Sequence, residues 1–347
     1  MPDARIAGAG PAGLAAATIL AKNGYSVRVY EQRSDVGERF NDDFQGLENW
    51  SSDLDVLDEL THLGIQPNWW LRSFNGGAMF SPSMRSKIVL SSKPLFYMVR
   101  RGNSDQGSLD KALLRQAIDS GVQIVFNKRV SREDVDIWAA GPSGPAKAIA
   151  AGITFTHHVA DFACVMLSED LAPSGYVYYL VADGKATLAT VLFRDFPYVH
   201  EALKKSRSVI ARTYGINSFP DEKKWGGFGG FAIKETCEVD GALLVGEAGG
   251  FQDFLFGFGI RNALLSGGLA AKSILEGTSY DKLWRKRLLG VLKASAVNRN
   301  LYDSFGDLAK NVFWLAATKS KRPDRLMKWI YNYSSLHKLI YPFSAKN

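Results

Sequence analysis

Cysteine is nearly absent from this sequence: Cys164 and Cys237 are the two in 347 residues, far apart and in no C-x-x-C pair. That argues against a disulfide framework and a zinc site, so both thiols are expected as small buried hydrophobes in a reducing compartment. Long hydrophobic runs are missing too. No stretch of about 18 apolar residues occurs, so no spanning helix is expected. No basic-then-apolar leader precedes the first strand, so no secretory signal is expected and the cytoplasm is the expected address. There is no internal repeat and no low-complexity tract, and a chain that is 46% hydrophobic and 22% charged does not read as disordered. A Ser/His/Asp set and a metal-ligand cluster are also missing, so no metal is expected and no side chain is assigned as catalytic. His157 and His158 are adjacent, and neighbours on a strand point to opposite faces.

What the sequence does have is a βαβ unit at its start. Residues 5–8 read as a strand running into a glycine turn, residues 11–23 as a helix ended by Gly24, and residues 26–30 (SVRVY) as a second strand. Helices are expected over 51–63, where leucines recur every third residue, and over 109–120. Strands are expected over 122–126 and 136–139. Between residues 163 and 193 the chain turns β-rich, with Asp183-Gly184 as a two-residue hairpin signal. A strand over 242–245 meets a second glycine-rich turn, 246–250, before a helix over 260–276. From Tyr280 onward the chain reads as helical, aromatic and basic.

The first turn, Gly8-Ala9-Gly10-Pro11-Ala12-Gly13, is G-x-G-x-x-G between a strand and a helix, which is the context that gives the motif meaning. Gly8 permits the tight turn, Gly10 lets the backbone approach a pyrophosphate, and Gly13 lets the helix sit close to the strand. The pyrophosphate would face free N–H groups and the positive end of the helix dipole. Glu31 closes the second strand, where a carboxylate can bind both ribose hydroxyls and would repel a 2′-phosphate.

Further motifs resemble those of the flavoprotein superfamily of aromatic hydroxylases and geranylgeranyl reductases, with a glutathione-reductase-type fold. Val36-Gly37-Glu38-Arg39 is similar to the segment in which those proteins place an arginine near the flavin. Tyr97-Met98-Val99-Arg100-Arg101 with Leu109-Asp110-Lys111-Ala112-Leu113 resembles their Y-x-V-x-R … F-D-x-x-L stretch. Gly246-Glu247-Ala248-Gly249-Gly250-Phe251, then Gly257-Phe258-Gly259-Ile260, resembles their second fingerprint. The resemblance implies FAD held by Gly8, Gly10, Pro11, Ala12, Gly13, Glu31 and Gln32, by Arg39, Arg101 and Val130, and by Gly246, Glu247, Gly257, Gly259 and Ile260. A helix amino terminus at the last glycines would stabilise the negative charge of a reduced flavin near N1 and O2. The fold it implies is α/β: a discontinuous FAD/NAD(P)-binding Rossmann-like domain (1–50, 95–155, 235–280), an inserted β-rich substrate domain (51–94, 156–234) and a helical basic segment (281–347).

Among these relatives the geranylgeranyl reductases are most similar, because Gly175-Tyr176-Val177-Tyr178-Tyr179-Leu180 resembles their lipid-lining Y-x-W-x-F-P strand. Tyr178 stands where the tryptophan is expected and Val181 where the proline is. The cysteine–glycine pair of those reductases is replaced by Phe40-Asn41-Asp42-Asp43-Phe44-Gln45-Gly46, where Asp42 and Asp43 are the carboxylates nearest the expected flavin loop. Tyr176 and Tyr178 share one strand face and are the expected substrate residues. The implied function is an FAD-dependent reductase or dehydrogenase of an isoprenoid- or polyene-like substrate, by hydride transfer at the flavin. It would be fed by an external reductant, a nicotinamide nucleotide or a redox protein. A flavin-dependent monooxygenase or halogenase stays open, as does a non-catalytic electron-transfer or binding subunit.

Charge is unevenly placed. Residues 282–347 carry 14 Lys and Arg against 3 Asp, a surplus of 11 in a chain whose net charge is +7. Interleaved tryptophan and tyrosine make two expectations equal: peripheral contact with an anionic membrane, or a helical cap whose charges are solvated. No nucleic-acid recognition module accompanies these residues.

Overall fold

Residues 1–142 and 144–344 are described in a computed structural model; Ser143, residues 345–347 of the basic segment and the side chains of residues 342–344, Phe343 among them, lie outside the described residues. β1 (Asp3–Ala7) breaks at Gly8, and α1 (Pro11–Lys22) starts with proline in its first turn, where a missing N–H costs nothing. Gly24, at φ 86°, then turns the chain into β2 (Ser26–Tyr30), which runs parallel to β1. β3 (Asp43–Glu48), α2 (Val56–His62), β4 (Leu71–Phe74), β5 (Gly76–Phe80), β6 (Ser86–Leu90) and β7 (Phe96–Arg101) follow. Next come α3 (Leu109–Asp119), β8 (Gln123–Val125), β9 (Ile137–Trp138), β10 (Ala148–Thr156), β11 (Phe162–Met166), β12 (Tyr176–Ala182) and β13 (Lys185–Leu192). The remainder is α4 (Val199–Tyr214), β14 (Lys223–Gly229), β15 (Glu238–Val239), β16 (Ala242–Leu244), α5 (Ile260–Glu276), α6 (Tyr280–Trp284), α7 (Gly290–Lys319), α8 (Pro323–Tyr331) and α9 (Ser335–Ser344).

Three sheets result. One has the order β15-β16-β9-β1-β2-β8, parallel from β16 to β8. Here α1 packs on α5 so closely that a Cβ on Gly267 would lie 2.1 Å from the Ala12 carbonyl. The second sheet, β14-β10-β13-β12-β11-β5-β6, is antiparallel except at β5–β11. Its β12–β13 hairpin turns at Asp183 and Gly184, both at positive φ as a primed turn demands. The third, β3-β7-β4, lies between the other two: Phe44 of β3 donates its N–H to Thr187 of the second sheet. The core follows these layers. One large cluster holds β1, β2, α1 and α5, and reaches Tyr280 and Trp284 of α6; a second backs β10–β13 against α4.

The expected helix over 51–63 is shorter. Its first residues are held by Glu48, whose carboxylate accepts the N–H groups of Trp50 and Ser51; Asp55 then caps α2 by accepting from Leu57. His157 and His158 fall beyond the end of β10, and His157 Nδ1 meets the Tyr179 hydroxyl. Both cysteines are buried, and burial pushes each thiol up to about 12.

Candidate functional site

The glycine turn after β1 is built as close packing requires. Gly8, at φ 97°, accepts no Cβ: one there would come 2.3 Å from the Ala139 carbonyl, and one on Gly13 would lie 2.0 Å from the Gly8 carbonyl. Gly10 differs, since a Cβ built on it meets nothing within 4 Å and would project into open space. It is the N-cap of α1 and offers no side-chain cap. The first N–H groups of the helix are therefore left for a ligand.

Glu31 sits across from this turn. One of its carboxylate oxygens accepts from Ala9 N at 2.9 Å and the other from Arg33 N at 2.9 Å. The side chain is thereby fixed, and each oxygen keeps lone pairs for a further donor.

The second glycine turn arrives from β16. Glu247 is 3.9 Å from the Arg39 guanidinium, and burial raises its carboxyl pKa against the pull of Arg39 and Arg101. Its Oε2 is buried with no hydrogen-bond partner among the described residues, as is Oε1 of Gln252. Two acceptors left bare inside a cavity call for a donor from outside the chain. Arg101 is buried and paired through two nitrogens with Asp110, at 2.8 and 2.9 Å, while a third reaches Gln45 at 3.3 Å. Both Arg39 and Arg101 lie over the Phe40 ring. Asp43 is buried near this group, and burial pushes its carboxyl up to about 6.

Asp253 shapes the loop that carries Gly257, Gly259 and Ile260. Its carboxylate accepts from Leu255 N, Phe256 N and the Tyr331 hydroxyl, so one buried side chain holds the loop to α8. Gly259 caps α5 with no side-chain acceptor, which leaves that helix terminus also open.

The two glycine turns, Glu31, Arg39, Arg101 and Glu247 face one cavity of about 920 Å³. Gly8, Gly10, Pro11, Ala12, Glu31, Gln32, Arg39, Arg101, Val130, Gly246, Glu247, Gly257, Gly259 and Ile260 line it; Gly13 lies beneath the turn, against Gly8. Tyr176 and Tyr178 line the same cavity together, while Val177 and Tyr179 are buried on the far side of the strand. The two tyrosines are not equivalent. Tyr176 donates to the Phe256 carbonyl at 2.6 Å and so ties β12 to the α5 loop. The Tyr178 hydroxyl has no hydrogen bond among the described residues; burial and the nearby Asp43 carboxylate hold its pKa well above the usual value, so it stays protonated. Asp42 and Asp43 do not line the cavity.

Sequence reasoning missed the rest of the wall. Met79, Leu95, Phe96 and Phe256 line the apolar end, joined by Phe313 and Ala317 of α7 and Leu326 and Met327 of α8. No signal marks them, because an apolar residue facing a cavity has the same chemistry as one facing the core.

The cavity suits FAD. A Gly10 with free space before it, a fixed ribose-side carboxylate, two uncapped helix termini and bare buried acceptors are what a dinucleotide with two phosphates and a polar ring edge requires. Among the described residues there is no group of three His, Cys, Asp or Glu that could hold a metal, and no helix long and apolar enough to cross a membrane.

Comparison with known proteins bears on the fold that carries this site. Residues 6–66 match a family model described as an NAD(P)-binding Rossmann-like domain. The digeranylgeranylglycerophospholipid reductase of Methanosarcina mazei is 22% identical, over 88% of this chain and 86% of its own. Among solved structures, a geranylgeranyl bacteriochlorophyll reductase-like protein of Thermoplasma acidophilum superposes with a TM-score of 0.75 at 17% identity, covering 99% of each chain. A flavin-dependent brominase superposes with a TM-score of 0.69 at 16% identity, covering 99% of this chain and 100% of its own. The resemblance to reductase and hydroxylase flavoproteins drawn from the motifs is thus borne out, and the chain carries their fold from end to end.

Proposed function

We propose that the chain is an FAD-dependent oxidoreductase, a reductase or dehydrogenase acting on a hydrophobic substrate of isoprenoid or polyene type. One observation carries this reading: both glycine-rich turns and an apolar lobe walled by Tyr176, Tyr178, Phe96 and Phe256 open into a single cavity. Bound there, FAD supplies two-electron chemistry. The chain's own part is to hold the pyrophosphate at the Gly8–Gly13 turn, the ribose at Glu31 and the ring edge at the α5 terminus. Its apolar lobe excludes water and aligns a long substrate. An external reductant, a nicotinamide nucleotide or a redox protein, would recharge the cofactor. The names of the reductase relatives support an isoprenoid substrate. The surplus of positive charge in the helical segment 282–347 supports work in peripheral contact with a lipid surface. The likeness to a brominase supports a second reading, a flavin-dependent monooxygenase or halogenase; oxygen consumption coupled to substrate turnover would select it.

The purified protein should be yellow and release FAD, not FMN, on denaturation. Colourless protein that takes up no FAD from solution would sink the proposal. A finer test is Glu31→Ala. Hydrogen bonds to a charged acceptor contribute about 1.5–3 kcal/mol, so FAD should bind roughly 10- to 100-fold more weakly. The fold should persist, because β2 is paired on both edges. Because Glu31 also accepts from Ala9 N, dissociation should be faster as the turn loosens. Unchanged affinity by fluorescence titration would remove Glu31 from the site.

A further inference from the structure

The basic segment divides its charges in two. Arg287, Arg299, Lys310, Arg322 and Lys328 are spent in ion pairs, with Glu59, Asp303, Glu169, Asp324 and Asp53. Trp284, Tyr302, Trp314 and Tyr331 are buried. To that extent the segment is a cap. Yet the outer face of α7 is bare. Beyond the break at Gly306 (φ 48°), Leu308, Val312 and Leu315 follow one another at helical spacing and are 63, 59 and 41% exposed. Beside α7 runs β6, which turns Lys87 and Val89 towards the helix and its exposed Ile88 and Leu90 to the other side of the strand. Trp314 joins α7 to the β5–β6 hairpin: it donates to the Met79 carbonyl of β5 and carries Arg85 and Lys87 over its ring.

Around this apolar face stand Arg85, Lys87, Lys319, Lys321 and Arg325, all exposed and none in a salt bridge among the described residues. Asp324, the acid between them, is already paired with Arg322. The opposite side of the same elements is the cavity wall: Val89 of β6, Phe313 and Ala317 of α7, and Leu326 of α8. One helix thickness separates the exposed face from the lobe read as the substrate site.

We propose that this outer face of α7 docks on the surface of an anionic lipid bilayer, with Leu308, Val312 and Leu315 entering the headgroup–acyl boundary. The proposal rests on the reading of a hydrophobic substrate. Apolar burial and cation attraction together give the two signals that stable interfacial binding needs. A second copy of the chain fits poorly, since a two-fold contact would set the five cations of one protomer against the same five of the other. Substrate drawn from the bilayer would meet the cavity immediately behind the docking face.

The test is flotation of the holoprotein with phosphatidylcholine vesicles, with and without phosphatidylglycerol. The parent should float with the anionic vesicles, less so as salt is raised, and far less with neutral ones. The combined variant Leu308→Ser, Val312→Ser, Leu315→Ser keeps every charge and should partition about tenfold or more weakly, with FAD content unchanged. Lys319→Glu, Lys321→Glu and Arg325→Glu together should lose binding and its salt dependence. Undiminished flotation of the serine variant overturns the proposal, and so does a parent that binds neither vesicle. A parent that sediments as a dimer, dissolved by the serine variant and indifferent to vesicles, assigns the face to a second copy instead. Flotation without FAD uptake would remove the flavoenzyme reading while leaving the docking face intact.

Discussion

Gly10→Val is expected to leave the protein folded and to abolish FAD uptake. The two halves of that result have separate causes. A Cβ at Gly10 meets no heavy atom within 4 Å, and φ there is −80°, so valine adds neither a clash nor a forbidden backbone angle. The side chain would instead occupy the space before the amino terminus of α1, where a pyrophosphate must come within hydrogen-bond reach of the N–H groups. Losing several bonds of about 1.5–3 kcal/mol each should weaken binding by more than about 100-fold. Gly13→Val is the contrasting control. Its Cβ would lie 2.0 Å from the Gly8 carbonyl, an overlap no rotamer relieves, so that variant should lose the fold itself. Thermal melting and FAD titration separate the two. A Gly10→Val protein that binds FAD like its parent would mean the phosphates lie elsewhere.

The glycine turn was legible in the sequence because its function is steric and local. Gly8, Gly13 and Glu31 act within one βαβ unit, and the helix over 260–276 and the Asp183-Gly184 turn were equally legible from caps and turn chemistry. What could not be read is what depends on distant chain segments. β9 was expected as a strand over 136–139, but its place between β1 and β16, each more than a hundred residues away, follows from packing alone. The helix expected over 51–63 lost its first turn to Glu48, a side chain whose local hydrogen bonds outcompete leucine spacing. The difference between Tyr176, tied to the Phe256 carbonyl, and Tyr178, with no such tie, depends on a loop 80 residues further on. The charge surplus of the tail was visible, but its division between structural pairs and a free surface was not. Which cations find carboxylates is decided by packing.

The second large effect concerns Arg101, whose position in the cavity depends on one residue of α3. Asp110 accepts from Arg101 Nε and Nη2 and from Gly102 N, and both side chains are almost fully buried, at 7 and 4% exposure. Desolvation opposes the charge on Arg101, yet Asp110 foremost, with Asp43 and Glu247, holds its pKa above the usual value. Asp110→Ala therefore leaves a buried guanidinium with Gln45 and two more distant carboxylates for compensation. Breaking such a pair costs about 3–5 kcal/mol, and the remaining acids place this variant towards the lower end. Urea midpoints of the apoprotein measure it without the stabilisation that bound FAD adds by mass action. Arg101→Met with Asp110→Leu removes both charges together and should recover most of that stability, since an apolar pair of similar volume replaces the ions. Recovered stability should not restore FAD affinity, because the cation facing Glu247 and the cofactor cavity is gone. An Asp110→Ala apoprotein within about 1 kcal/mol of its parent would show that Arg101 has another anchor. A double variant that binds FAD normally would confine Arg101 to a structural role.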